Sequence, residues 1–252
     1  MSLFSNLTSE GLEESQDRVG GGFQALETNI YTGKIKAAYA GESSGGAKSV
    51  SIVVALEGGT EYRETFYVTN KKGENFFLNK QDKTKKVPLP GFTMVDDICL
   101  VTTGKSLSEQ SAEEKVIKLY DFDAKKEQPK AVPMLVELLD KEVSLGIVKQ
   151  TVNKNVKQGD EYVASAETRD ENVTDKVFHT ETRMTVVEAR QGAESAKFWD
   201  SWLERNKDQT RDKRTVKDGS TAGKAGKPGT PPQANGGSTG SAAPRSSLFG
   251  KK

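Results

Sequence analysis

A chain of 252 residues carries a single histidine, His179, and a single cysteine, Cys99. A Ser-His-Asp or Cys-His arrangement would have to draw on His179 alone. One cysteine excludes an intramolecular disulfide, and one cysteine with one histidine cannot build a four-ligand structural zinc site. His179 has Asp175 and Glu181 close by in sequence as conceivable metal partners, but a surface or capping histidine is the commoner role. Cys99 falls on the apolar face of a helical pattern and reads as a small core residue. The pairs Asp96-Asp97 and Glu113-Glu114 offer carboxylates of the kind a metal-dependent nuclease uses. No third acidic position is set by spacing, and solvated helix residues explain both pairs. No Walker loop occurs. The residues imply neither a cofactor nor a resident metal.

A different chemistry is concentrated in Glu61–Phe77, where aromatic and basic residues interleave. Flat rings that stack on bases and cations that meet phosphates are what a binder of unpaired nucleotides needs. Strand alternation assigns Tyr62, Phe66 and Val68 to one face with Glu64, and Arg63, Thr65, Tyr67 and Thr69 to the other. Lys34 and Lys36 point away from the apolar face of an earlier strand, on which Tyr31, Ile35, Ala37 and Tyr39 are expected to lie. If those strands pair, cations and an aromatic share one outward surface. The candidate binding residues are therefore Lys34, Lys36, Arg63, Tyr67, Lys71, Lys72 and Phe77. The competing reading is a half-buried strand followed by a solvated lysine turn, since aromatics are common in strands.

The elements that must position these residues follow from pattern. Thr28 to Tyr39 and Lys48 to Leu56 alternate with period two, and Gly58-Gly59 makes a hairpin connection into Glu61–Thr69. Phe92 to Thr103 has helical spacing. Lys115–Phe122, Glu142–Val152 and Tyr162–Thr168 read as strands, and Val132–Leu139 as a strand end or a helical turn. Thr182 to Arg205 turns helical, with Ala193, Ala196, Trp199, Trp202 and Leu203 on one face, where packing is the favoured role for the tryptophans. Short strands with one intervening helix predict a mainly β chain, specifically an OB-fold-like five-stranded Greek-key barrel with added helices. Other small barrels and α+β sheets would give a similar string.

Hydrophobic residues make up 34% of the chain, and the deficit lies mostly after Arg205. Residues 1–26 read as an N-terminal arm, 27–205 as the folded domain, and 206–252 as a disordered basic tail rich in Gly, Ser and Pro with an apolar island at Leu248-Phe249. Lys plus Arg number 37 against 36 Asp plus Glu, so the near-zero net charge leaves any affinity for polyanions to local patches. No signal peptide or membrane-length apolar run is evident, which implies a soluble, reducing setting.

The stretches Glu61–Phe77 (EYRETFYVTNKKGENFF), Lys85–Phe92 (KKVPLPGF), Thr168–His179 (TRDENVTDKVFH) and Ser246–Gly250 (SSLFG) resemble the single-stranded DNA-binding proteins of tailed bacteriophages. The resemblance spans most of residues 25–205 and the last few. It implies an OB-fold core, sequence-independent binding of single-stranded DNA, no catalytic activity, and a role in phage replication, recombination and repair in the cytoplasm of the bacterial host. It also implies contacts with phage or host replication proteins through the tail. Proteins of this kind commonly carry an acidic tail, whereas this one is basic and would instead add phosphate contacts. The readings set against it are a metal-dependent structure-specific nuclease and a phage adaptor that binds no nucleic acid.

Overall fold

The computed structural model describes residues 24–121, 124–159 and 161–216. The expectations for the arm before residue 24, for Phe122 at a strand end, and for 217–252 with Leu248-Phe249 lie outside them. The described chain is mainly β, with antiparallel pairing throughout except at one short strand, and three helices.

Strands β1 (Asn29–Glu42), β2 (Lys48–Leu56) and β3 (Glu61–Tyr67) form an antiparallel meander. On β2, Val50, Ile52, Val54 and Leu56 alternate inward and are buried, as the period-two pattern requires. β1 is too long for one flat sheet and bends at a bulge. Ile35 pairs with Val54 and Ala37 with Val53, so Lys36 is the extra residue. The bulge reverses the alternation. Gly33 and Ile35 face inward before it, and Ala38 faces inward after it, with Ile35 and Ala38 fully buried. Ala37 and Tyr39, expected on the face of Ile35, therefore point outward.

A separate two-stranded sheet pairs β4 (Phe76–Leu78) with β5 (Lys86–Pro88). Helix α1 (Pro90–Thr103) starts on an extended Leu89 with proline at its first position, where a missing N–H costs nothing. It ends on Gly104, whose left-handed backbone lets its N–H donate to the Leu100 carbonyl at 3.1 Å. Val95, Ile98 and Cys99 fill the space between the helix and the inner face of the sheet. Contact is close at the helix start, where a Cβ on Gly91 would lie 2.3 Å from the Tyr67 carbonyl oxygen.

A one-turn 3-10 segment, Leu107–Glu109, leads into the hairpin β6 (Ala112–Asp121) and β7 (Lys126–Leu135), which joins β1 at Tyr39–Met134. A second 3-10 turn, Val136–Leu138, follows, so Val132–Leu139 is both a strand end and a helical turn. The longest hairpin is β8 (Glu142–Gln158) with β9 (Glu161–Phe178). β9 runs ten residues beyond the expected Thr168, through a polar stretch that backbone pairing with β8 holds. β8 also pairs with the first half of β1, from Asn29–Ile147 to Lys34–Glu142. Among the described residues no ladder joins β3 to β9. Side chains bridge that gap: the Glu64 carboxylate accepts from the Thr174 N–H at 2.8 Å and from the Tyr62 hydroxyl at 2.6 Å.

The helical pattern expected over Thr182–Arg205 breaks into α2 (Val186–Arg190) and α3 (Lys197–Asn206), with Gly192 in a left-handed conformation between them. α3 packs Trp199, Trp202 and Leu203 onto Ile30, Val148, Val173 and Phe178, a second core on the outer side of β8. The chain then runs on beyond the compositional shift at Arg205. β10 (Thr210–Asp212) pairs in parallel with β8, and the Asn153 side chain accepts from the Thr215 and Val216 N–H groups at 2.7 and 2.9 Å. No helix among the described residues is long and apolar enough to cross a membrane.

Gly146 of β8 lies under α3, where an added Cβ would stand 3.0 Å from the Trp202 ring. That ring cannot swing aside freely because its indole N–H donates to Asp175 at 2.9 Å. Gly146→Ala is expected to lower unfolding stability by roughly 1–3 kcal/mol through overpacking. A urea midpoint equal to that of the native chain would show that this contact is slack.

Candidate nucleic-acid interface

The register of the meander builds the outer face row by row. Tyr39 stands beside Ser51 and Thr65, Gly41 beside Ser49 and Tyr67, Ala37 beside Val53 and Arg63, and Lys34 beside Ala55 and Glu61. The central strand thus contributes only small or short side chains to a floor, and the larger ones stand on β1 and β3. Strand spacings place the Tyr39 and Tyr67 Cα atoms on the order of 12 Å apart. Tyr67 is 51% exposed, and Arg63 is exposed, whereas Tyr62 and Phe66 on the opposite face are buried. The expected division of β3 into an inner and an outer face describes the strand correctly.

The outer face is open over only half of its extent. Over β8 and the first half of β1, α3 covers it, with Ile30 and Gly146 beneath the tryptophans. Along the second half of β1 the hairpin β6–β7 stands alongside. Val53, Val132 and Met134 are buried there but belong to neither hydrophobic cluster.

Lys71 and Lys72 sit at the end of the trough next to Tyr67. The Lys48 carbonyl accepts from both the Val68 and Thr69 N–H groups, which ties the β3 exit to the β1–β2 turn. The Lys71 stem lies across that turn, 3.0 Å from where a Cβ on Gly45 would stand. Asn70 shapes the loop by accepting from the Lys72 and Glu74 N–H groups at 2.9 and 3.0 Å, and Gly73 takes φ 80°. Among the described residues Arg63, Lys71 and Lys72 make no ion pair.

Three other expected residues are placed differently. Lys34 and Lys36 do project outward, but each has a carboxylate partner, Glu142 and Asp140, both at 3.7 Å. Phe77 is 38% exposed and lies on the separate β4–β5 sheet, which no ladder among the described residues links to the trough. Its neighbour Phe76 carries the Lys86 ammonium 4.3 Å above its ring. Unbroken alternation predicts Tyr39 on the core face, whereas the bulge puts it on the outer face. Only the run Lys34-Ile-Lys-Ala-Ala-Tyr39, with two adjacent small residues, hints at a phase change, and it does not fix one.

The remaining titratable groups occupy other places. Asp96 accepts from the Leu107 N–H at 2.8 Å and fastens the loop after α1. Asp97, expected to be solvated, is withdrawn from water. Desolvation pushes its carboxyl up to about 6, with the Asp96 charge adding to the rise and Lys176 and Arg190 opposing it. Glu113 pairs with Lys115 at 2.8 Å on β6, so the two acidic pairs lie on different elements. Burial raises Glu64 above the usual carboxylate range, opposed by its bonds to Thr174 and Tyr62, and raises the Cys99 thiol to about 12. The His179 Nδ1 accepts from the Thr182 N–H at 3.2 Å and caps a turn, with burial lowering its pKa. Among the described residues no group of three or more His, Cys, Asp or Glu could hold a metal ion.

Asp97 predicts a pH dependence of stability. Its folded pKa of about 6 exceeds the ordinary aspartate value of 3.8, so its ionised form is the disfavoured one in the native state. The penalty is absent below pH 4, grows between pH 4 and 6, and is complete above. Asp97→Asn should raise the thermal midpoint at pH 7 to 8 and leave it unchanged at pH 3.5. A variant less stable than the native chain at pH 8 would contradict this.

No protein-family model matches the chain, and no curated protein or solved structure is significantly similar to it.

Proposed function

We propose that the protein binds single-stranded DNA without sequence specificity in the open trough of β1, β2 and β3, and that it serves phage replication, recombination and repair in the host cytoplasm. The observation that carries this reading is the outer-face register. It puts Tyr39 and Tyr67 on either side of a floor of small residues, with Arg63, Lys71 and Lys72 along one border. Bases stack on the two rings, each stabilising the complex by about 1–3 kcal/mol, and phosphates meet the three cations. Every base has a flat face, so such a site tolerates any sequence. The trough works by holding extended nucleotides apart from one another, which removes hairpins.

The chain path supports an OB-fold core. A three-strand meander is followed by a helix and then by a strand, β8, that returns beside β1, with β9 opposite β3 across the Glu64–Thr174 bridge. In this reading β4–β5 and β6–β7 are insertions, and α2, α3 and β10 are additions after the core. The resemblance of Glu61–Phe77 and Thr168–His179 to phage single-strand binders points the same way.

A fluorescence titration with oligo(dT), against a duplex of equal length, tests the proposal. Tyr67→Ala and Tyr39→Ala should each weaken oligo(dT) binding about 5- to 150-fold, the equivalent of one lost stack. Tyr67→Ala should leave the thermal midpoint nearly unchanged, and Phe66→Ala should cost about 3–5 kcal/mol of stability. The log–log salt slope should be about −2, for three phosphates at roughly −0.7 each. Duplex binding as tight as oligo(dT) binding would exclude this function.

A further inference from the structure

We propose that Asp140 and Glu142 are specificity-determining residues that withhold Lys34 and Lys36 from the nucleic acid and confine the phosphate track to the β3 side of the trough. The proposal rests on the single-stranded DNA reading above.

Both carboxylates are placed by the backbone. Glu142 is the cross-strand partner of Lys34 in the β1–β8 ladder, so register alone sets its side chain beside that lysine. Asp140 is pinned at the bulge: its N–H donates to the Ile35 carbonyl at 2.8 Å, and the next carbonyl, of Lys141, accepts from the Ile35 N–H at 2.9 Å. Lys36 is the extra residue of that bulge, and the Asp140 carboxylate meets its ammonium at 3.7 Å. A left-handed φ of 58° holds Asp140 there.

The four charges lie on a border. Outward of Lys34 along β8, α3 covers the sheet; on the other side the trough is open. Two lysines and two carboxylates sum to zero on this border, and Glu61, in the same row as Lys34 and Ala55, adds a further negative charge. The opposite end carries Lys71 and Lys72 without ion pairs among the described residues. A polyanion is therefore attracted along β3 toward the 70–73 turn and gains nothing by crossing to the first half of β1. The lysines at 34 and 36 resemble phosphate ligands by type and position, but the protein supplies their counter-charges.

The test is oligo(dT) affinity as a function of salt, for the full chain and two double variants, with circular dichroism to verify folding. K34Q/K36Q should bind within twofold of the native chain with the same salt slope. D140N/E142Q should bind more tightly, with a slope steeper by up to about 1.4, two phosphates at roughly 0.7 each. Asparagine tolerates the left-handed backbone at 140, so that variant keeps the bulge. A tenfold loss in K34Q/K36Q, or an unchanged slope in D140N/E142Q, overturns the proposal while leaving single-stranded DNA binding intact. A native chain that binds no oligo(dT) overturns both.

Discussion

One inserted residue in β1 governs the arrangement of the whole molecule. Lys36 has no partner on β2, and the bulge it makes lets one strand serve two directions of pairing. β2 pairs with β1 on both sides of it, while the opposite edge of β1 pairs with β8 before the bulge and touches β7 at Met134 after it. The bulge also exchanges the faces, so that Ile35 and Ala38, three residues apart, both reach the core. Backbone bonds to Asp140 and Lys141 fix it from across the sheet. Without the extra residue, Tyr39 would be an inward-facing side chain and the trough would have one aromatic border instead of two.

The same bend explains why the sheet can be used on both faces. Its inner face is closed by α1 and by the buried contact between β3 and β9, where Glu64 takes up the Thr174 N–H. A carboxylate placed there is costly unless it is hydrogen-bonded, and the Tyr62 hydroxyl and the Thr174 N–H both donate to its Oε2. Its outer face is closed over β8 by α3, whose Trp202 is locked by Asp175, itself held by Arg211 of β10 at 3.0 Å. What stays open is the β3 border at Arg63, Thr65 and Tyr67, beside half-buried Tyr39 and Ser51 and buried Ser49 and Val53. The proposed binding surface is thus the part of the sheet that α1 and α3 leave uncovered.

Much of this was legible in the sequence where alternation is strict and uninterrupted. β2, β3 and the inward residues Val143, Leu145 and Ile147 of β8 follow directly from period-two spacing, and α1 from its 3.6-residue spacing between two breakers. The division of β3 between Phe66 and Tyr67 is equally plain, because one residue separates the faces. The bulge was not legible, since an unpaired residue is defined by its partner strand and leaves no mark in its own. That cost Tyr39. The extension of β9 through Arg169–Asp175 was hidden because those side chains are polar and the strand is held by backbone bonds to β8. The partners of Lys34 and Lys36 were hidden for a related reason: Asp140 and Glu142 lie over a hundred residues away, and only the ladder brings them near. The polar break at Gly192 within the expected long helix was visible as a glycine but was outweighed by the apolar stripe on either side.

The central claim is that single-stranded DNA lies on the open outer face of β1, β2 and β3. Amide and aromatic NMR shifts of the labelled protein, recorded on addition of a short oligo(dT), test it most directly. The predicted result is a contiguous set of perturbed resonances at Tyr39, Ser51, Arg63, Thr65, Tyr67, Lys71 and Lys72, with Phe178 and Trp202 unmoved. Perturbations gathered instead around Val187 and Phe198 between α2 and α3, with Tyr39 and Tyr67 silent, would contradict it.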